Sequence, residues 1–165
     1  MEKLSELHAK VKGALGESRV VSDLISRGYP CFTEFGDNSK VDLIALVNNR
    51  PVTIQVKARK SDNGCVTLSS NKAGPNYRFR YTSEMVDVFA LYIYDRDEIL
   101  YITSKELCDD AHTITIRLDP PKHNQIIGIN YADKYRDFKR VLRDYEPNSL
   151  TLKEVGDDIA QTTTE

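Results

Sequence analysis

Apolar positions in this chain follow two periods, one helical and one alternating, and the changes between them mark out its elements. Leu4, Leu7, Val11, Ala14, Leu15, Val21, Leu24 and Ile25 recur at helical spacing, and Gly28 supplies a stop, which predicts a long N-terminal helix. Residues 30–35, 41–47 and 52–58 are rich in β-formers and are separated by Gly36-Asp37-Asn38 and Asn48-Asn49-Arg50-Pro51, so they read as three consecutive strands. Residues 60–85 are polar and broken by Gly64, Gly74 and Pro75, which predicts loop with short regular pieces. Residues 86–94 are almost unbroken apolar sequence, as expected of a strand covered on both faces, and 99–103 return as its neighbour after a turn at Asp95 to Glu98. Thr103 with Glu106 makes a capping-box start for a short helix near 104–110, and 113–118 predict one more strand before Pro120-Pro121. Tyr131, Tyr135, Phe138, Val141 or Leu142, and Tyr145 then line one face of a last helix, after which the period fades.

The 165 residues suffice for one domain with its own core. The expected division is a domain over 1–146 and an acidic, flexible tail over 147–165. Hydrophobic residues at 40% and charged residues at 29% suit a folded globular chain. No apolar run approaches the roughly 20 residues of a membrane span, and the N-terminus lacks an apolar signal core, so a cytoplasmic, nucleoid-associated protein with no membrane partner is expected. Cys31, Cys65 and Cys108 are widely spaced without CxxC pairs, and His8, His112 and His123 are scattered; neither set supports a zinc site or a Cys/His nucleophile. The net charge of -2 hides a strong asymmetry. Arg50, Lys57, Arg59, Lys60, Lys72, Arg78 and Arg80 face only Asp62 in the middle of the chain, whereas acids dominate from Asp144 onward.

Candidate chemistry comes from treating 41–58 as a hairpin. A turn centred on Asn49-Arg50 pairs Val47 with Val52, Ile44 with Gln55 and Asp42 with Lys57. Because side chains alternate along a strand, Val41, Leu43, Ala45 and Val47 then share the apolar face with Val52, Ile54, Val56 and Ala58. Asp42, Gln55 and Lys57 share the other. An acid, an amide oxygen and an ammonium at one end of a sheet suit phosphodiester hydrolysis. Magnesium takes hard oxygen ligands, and Asp42, Gln55 and the main-chain carbonyl of Val56 can supply them. Lys57 can position or deprotonate a water and offset charge on the phosphate. Glu17, directly after Gly16 on the first helix, can add a second carboxylate. The simpler alternative for Asp42 and Lys57 alone is a cross-strand ion pair.

These pieces resemble the PD-(D/E)XK nuclease superfamily. The matching segments are Gly13-Ala14-Leu15-Gly16-Glu17, Lys40-Val41-Asp42-Leu43-Ile44, Ile54-Gln55-Val56-Lys57 and Val86-Asp87-Val88-Phe89-Ala90-Leu91-Tyr92. Gln55 in the usual glutamate position and the Gly-Glu helix look most like the small intron-encoded homing endonucleases of this fold. The resemblance implies an α/β fold with a restriction-endonuclease-like core: a mixed β-sheet flanked by helices in the order αβββαβ, with a C-terminal helix. It also implies a catalytic set of Glu17, Asp42, Gln55 and Lys57, and Mg2+ as cofactor with Mn2+ as substitute. Two departures stand out: no proline closely precedes Asp42, and no helix is evident over 60–85.

The expected function is site-specific cleavage of double-stranded DNA. The alternatives are a structure-selective Holliday junction resolvase and a non-catalytic DNA-binding module of the same fold. One active site per chain implies a homodimer or homotetramer for a double-strand break. Tyr77, Phe79 and Tyr81 alternate with Arg78 and Arg80, so that the arginines, with Arg59, Lys60 and Lys72, can grip phosphates. An amphipathic edge strand with solvated arginines explains the same alternation. On the last helix, Lys134, Arg136, Lys139, Arg140 and Arg143 are interrupted by acids and read as a solvated face.

Overall fold

The computed structural model describes residues 8–34, 39–120 and 128–145. The chain opens with helix α1 (Ala9–Ser26), followed by strands β1 (Cys31–Thr33), β2 (Leu43–Val47) and β3 (Arg50–Arg59). Next come β4 (Cys65–Ser69), β5 (Asn71–Gly74), β6 (Tyr77–Arg80), β7 (Val88–Ile93) and β8 (Glu98–Thr103). A π-helical segment (Lys105–Ala111), β9 (Thr113–Arg117), β10 (Asn130–Tyr131) and two 3-10 segments (Ala132–Tyr135 and Phe138–Tyr145) complete the order. The positions of Leu4 and Leu7 and the expected tail at 147–165 lie outside the described residues.

The central sheet has the order β1-β2-β3-β7-β8, and it is mixed: β3 pairs with β7 in parallel, while its other neighbours are antiparallel. This is the α/β core with a flanked mixed sheet that the sequence predicts. β7 is buried along its whole length, as its unbroken apolar sequence requires. Each face of the sheet carries its own core. On one, Leu43, Ala45, Val52, Ile54 and Val56 pack with Val20 and Leu24 of α1 and with Phe138, Val141 and Leu142. On the other, Phe89, Leu91 and Ile93 pack with Val66 and Leu68 of β4, Ile114 and Ile116 of β9, Tyr81 and Tyr135.

Three expectations are corrected. Residues 60–85 hold β4, β5 and β6 where a helix between the third core strand and the next would stand, and β4 joins β9 and β10 in a second sheet. Alternating Val66 and Leu68 bury one side of β4 and leave Thr67 exposed, a two-residue period that a helix cannot use. The last helix is instead two 3-10 segments; Tyr135, Phe138 and Val141 are spaced by three and so fit three residues per turn. Its aromatic stripe is core, since Tyr135 and Phe138 are fully buried. The capping box at the start of the π-helical segment forms as expected, with Thr103 Oγ1 donating to Glu106 Oε2 at 3.0 Å and Glu106 N donating to Thr103 Oγ1 at 3.2 Å.

The third correction concerns the hairpin that carries the chemistry. Val47 pairs with Arg50, Ala45 with Val52, Ile44 with Thr53 and Leu43 with Ile54, so the turn is Asn48-Asn49. Both asparagines have positive φ, 50° and 62°, as a two-residue type I′ turn demands, and Asn tolerates that region far better than Arg50 would. The register is displaced by an even step, so every side chain keeps its expected face while changing its partner. The prediction is that Asn49→Gly leaves stability unchanged or raised, whereas Asn48→Val costs about 1 kcal/mol or more because a β-branched residue is forced to positive φ. Denaturant unfolding measures both, and a harmless Asn48→Val contradicts this turn.

Candidate active site

With β2 ending at Leu43, the next residue toward the N-terminus, Asp42, stands beside Gln55. Its main-chain N–H still donates to Ile54 O at 3.0 Å. Its carboxylate Oδ2 then accepts the main-chain N–H of Val56 at 2.6 Å and a second bond from Gln55 Nε2. Gln55 Nε2 also lies 3.3 Å from the carbonyl oxygen of Val56. Asp42, Gln55 and the Val56 carbonyl therefore lie together, and the hairpin register places Gln55, not the expected Lys57, across from Asp42.

The far end of the Gln55 amide is held by a residue that the sequence pattern did not single out as part of the site. Tyr81 donates its hydroxyl to Gln55 Oε1 at 2.9 Å. Lys57 Nζ in turn donates to Tyr81 Oη at 3.3 Å and lies 4.9 Å from the centre of its ring. A directed chain results, running from Lys57 through Tyr81 and Gln55 to Asp42. The cation and the anion are thus linked through two neutral groups. Gln55 is only 6% exposed and Tyr81 only 3%, so these bonds form out of solvent, where an unmet polar group is costly. Tyr81 is fixed by edge-on ring contacts with Phe79 at 5.0 Å and Phe89 at 5.3 Å, and by its main-chain N–H to Ser70 O.

Burial pulls the Lys57 ammonium down to about 8; nearby Asp42 opposes the shift, and Lys72, Arg59 and Lys40 reinforce it. Those three cations therefore surround the site. Lys72 pairs across the β5–β6 hairpin with Phe79, and Lys40 lies 4.3 Å from the centre of the Phe79 ring. Lys40, on the segment before β2, thus joins the cations near Lys57, a placement the strand motif alone does not reveal. Arg78 and Arg80 are exposed on the opposite face of the hairpin from Lys72 and Phe79, and Arg80 lies against the His112 ring, 2.6 Å from Nδ1. Lys60 is exposed just beyond the end of β3.

Glu17 arrives differently. Gly16 seats α1 on the other face of the sheet, where an added Cβ would lie 3.4 Å from both Ala58 Cβ and Val56 Cγ1. Glu17, the next residue, is exposed. The structure thus gathers Asp42, just before β2, with Gln55, Val56 and Lys57 of β3, while Glu17 lies on a helix that meets β3 at Val56 and Ala58. Among the described residues no group of three or more His, Cys, Asp or Glu side chains is placed to hold a metal ion. Among the described residues, a metal beside Asp42 would therefore draw on amide and main-chain oxygens as well. The donor set fits a small hard cation: the Asp42 carboxylate and Val56 carbonyl already face one point, and a half-turn of the Gln55 amide directs Oε1 to it. No described helix is long and apolar enough to cross a membrane.

Comparison with known proteins bears on the family and the fold. The family model described as PD-(D/E)XK endonuclease matches residues 7–138. Among solved structures, a bacterial homing endonuclease, I-Ssp6803I, superposes with a TM-score of 0.65 at 16% identity, covering 96% of this chain and 100% of that one. No curated protein matches the chain in sequence. The site's electrostatics can be tested without substrate. In the metal-free protein Lys57 should titrate near 8 by NMR of its εCH2 group, and Asp42→Asn should lower that value further by removing a neighbour that favours the charged form. An ordinary lysine titration above 10 contradicts the buried placement.

Proposed function

The chain belongs to the PD-(D/E)XK endonuclease family, and from that premise we propose that it is a magnesium-dependent endonuclease that hydrolyses phosphodiester bonds in double-stranded DNA at specific sites. The observation that carries this reading is the convergence of Asp42 Oδ2, the Val56 carbonyl and the Gln55 amide beside Lys57. In this reading Asp42, Val56 O and Gln55 Oε1 hold the ion, and Glu17 adds a second carboxylate from α1. When bound, magnesium supplies Lewis acidity to the scissile phosphate and lowers the pKa of the attacking water. As the free amine Lys57 would accept the proton leaving the water, and once protonated it would offset charge developing on the phosphate. Water attacks phosphorus and gives up a proton, the bond to the leaving oxygen breaks, and that oxygen takes up a proton from solvent, so the cut strand is left with one phosphate end and one hydroxyl end.

Arg59, Lys60, Lys72, Arg78 and Arg80 contact the DNA backbone. Lys40, Arg59 and Lys72 bring positive potential to the site itself, which attracts the scissile phosphate. A double-strand break needs two such sites, supplied by a homodimer or homotetramer acting on DNA in the cytoplasm. The homing enzyme's likeness in fold supports site-specific cutting of duplex; preference for a four-way junction over linear duplex of the same sequence would assign the chain to junction resolution instead. A second reading, a DNA-binding module that does not cut, is favoured by one observation: the Gln55 amide turns Nε2, and not an oxygen, toward Asp42 and the Val56 carbonyl.

Supercoiled plasmid separates these readings. Wild type is expected to nick and linearise it in Mg2+ or Mn2+ but not in EDTA, and Asp42→Ala or Lys57→Ala should lose at least about a hundredfold in rate. No cutting in either metal, or full activity in both variants, overturns the catalytic reading. Binding should weaken steeply with salt, and Lys72→Ala or Arg78→Ala should each reduce the slope of log affinity against log salt by about 1. An unchanged slope removes that residue from the DNA contact.

A further inference from the structure

The Gln55 amide is held at both ends, and its present orientation turns the wrong atom toward the proposed ion. At one end two oxygens, Asp42 Oδ2 and Val56 O, face Nε2, and acceptors there call for the NH2 group. At the other, Tyr81 receives a bond from Lys57 and gives its own hydrogen to Oε1. The amide cannot offer Oε1 between Asp42 and Val56 without moving Nε2 to where Oε1 now lies. The group waiting there is the Tyr81 hydroxyl, which can accept as well as donate. A phenylalanine or leucine at position 81 would leave that buried end of the amide unmatched in both orientations.

We infer that Tyr81 is the positioning residue for Gln55: its hydroxyl donates to the amide in the metal-free protein and accepts from it when the amide turns to present Oε1 beside Asp42. The inference rests on the proposed metal site and adds the residue that allows an uncharged glutamine to serve in it. A glutamate at that place would carry oxygen at both ends and need no turn, so a donor-only neighbour would suffice. Glutamine needs a partner that reverses its role, and a hydroxyl does so. The placement of Tyr81 agrees with such a task, because its ring is clamped between Phe79 and Phe89 and leaves only the hydroxyl hydrogen free to reorient.

Removing the hydroxyl affects the two states unequally. In the metal-free state Gln55 Oε1 loses one partner; in the loaded state buried N–H groups lose their acceptor, and a buried N–H without an acceptor is the rarer and costlier case. Tyr81→Phe keeps the ring and its edge contacts. Magnesium affinity of the intact chain without DNA, measured by calorimetry, should therefore weaken about tenfold in Tyr81→Phe. In the Gln55→Glu background the same substitution should change affinity less than about twofold, because no turn is required. With 13Cζ-labelled tyrosine, the resonance lost in Tyr81→Phe should move when Mg2+ is added to wild type and stay fixed in Asp42→Ala. An equal effect of Tyr81→Phe in both backgrounds overturns the inference. So does a Tyr81 resonance that stays fixed while Asp42-dependent binding is measured. If wild type shows no Asp42-dependent magnesium binding at all, the metal site itself is wrong, and the role of Tyr81 falls with it.

Discussion

The bond from the Val56 main-chain N–H to the Asp42 carboxylate is the constraint on which the site depends. An antiparallel pair normally satisfies each inward amide with a strand carbonyl, but β2 ends at Leu43 while β3 continues to Arg59. At that fork a main-chain donor on β3 needs a partner, and an aspartate side chain provides one. The same bond orients Asp42 so that its charge lies beside Gln55 and the Val56 carbonyl. Structural need and chemical use thus coincide, since the carboxylate that closes the ladder is also the strongest cation ligand among the gathered oxygens. Parallel pairing of β3 with the fully buried β7 fixes the other edge of β3, so Gln55 and Lys57 are held from both sides.

The two cores explain why the site can be both buried and charged. Side chains of β3 alternate between them: Val52, Ile54 and Val56 enter the core under α1, while Gln55 and Lys57 turn to the face where Phe89 and Leu91 of β7 pack. That second face is closed by β4, β9 and the residues after β6, which bring Tyr81 over Gln55. The exposed β5–β6 hairpin just before Tyr81 carries Lys72, Arg78 and Arg80. The cations proposed to contact DNA and the tyrosine that bonds Gln55 therefore belong to one continuous segment, seated on the core by Phe79 and Tyr81.

Much of this was legible in the sequence because side-chain parity survives an error in register. Placing the turn at Asn49-Arg50 gave the wrong partners but the right faces, so Asp42, Gln55 and Lys57 were grouped before their contacts were known. Turn chemistry favours Asn48-Asn49 over Asn49-Arg50, because both turn residues take positive φ, but the alternating apolar pattern fits either register and does not separate them. Tyr81 was legible only as a member of an alternating aromatic row. Its role depends on contact with Gln55, 26 residues away in sequence, across strands that read as loop. The 3-10 segments were read as one helix because residues spaced by three and four suit either form until packing decides. Position 55 carried its signal openly: an amide in place of a carboxylate marks a site whose charge must come from elsewhere and whose orientation must be controlled.

The central claim is that three oxygens at the fork of β2 and β3 form a cation site. Anomalous diffraction at the manganese edge from crystals soaked in Mn2+ addresses it most directly. The account predicts one peak within bonding distance, about 2.2 Å, of Asp42 Oδ, the Val56 carbonyl oxygen and a Gln55 Oε1 turned from its metal-free position, with Gln55 Nε2 now facing Tyr81. A peak at another place, or saturating Mn2+ with no peak beside Asp42, would contradict it.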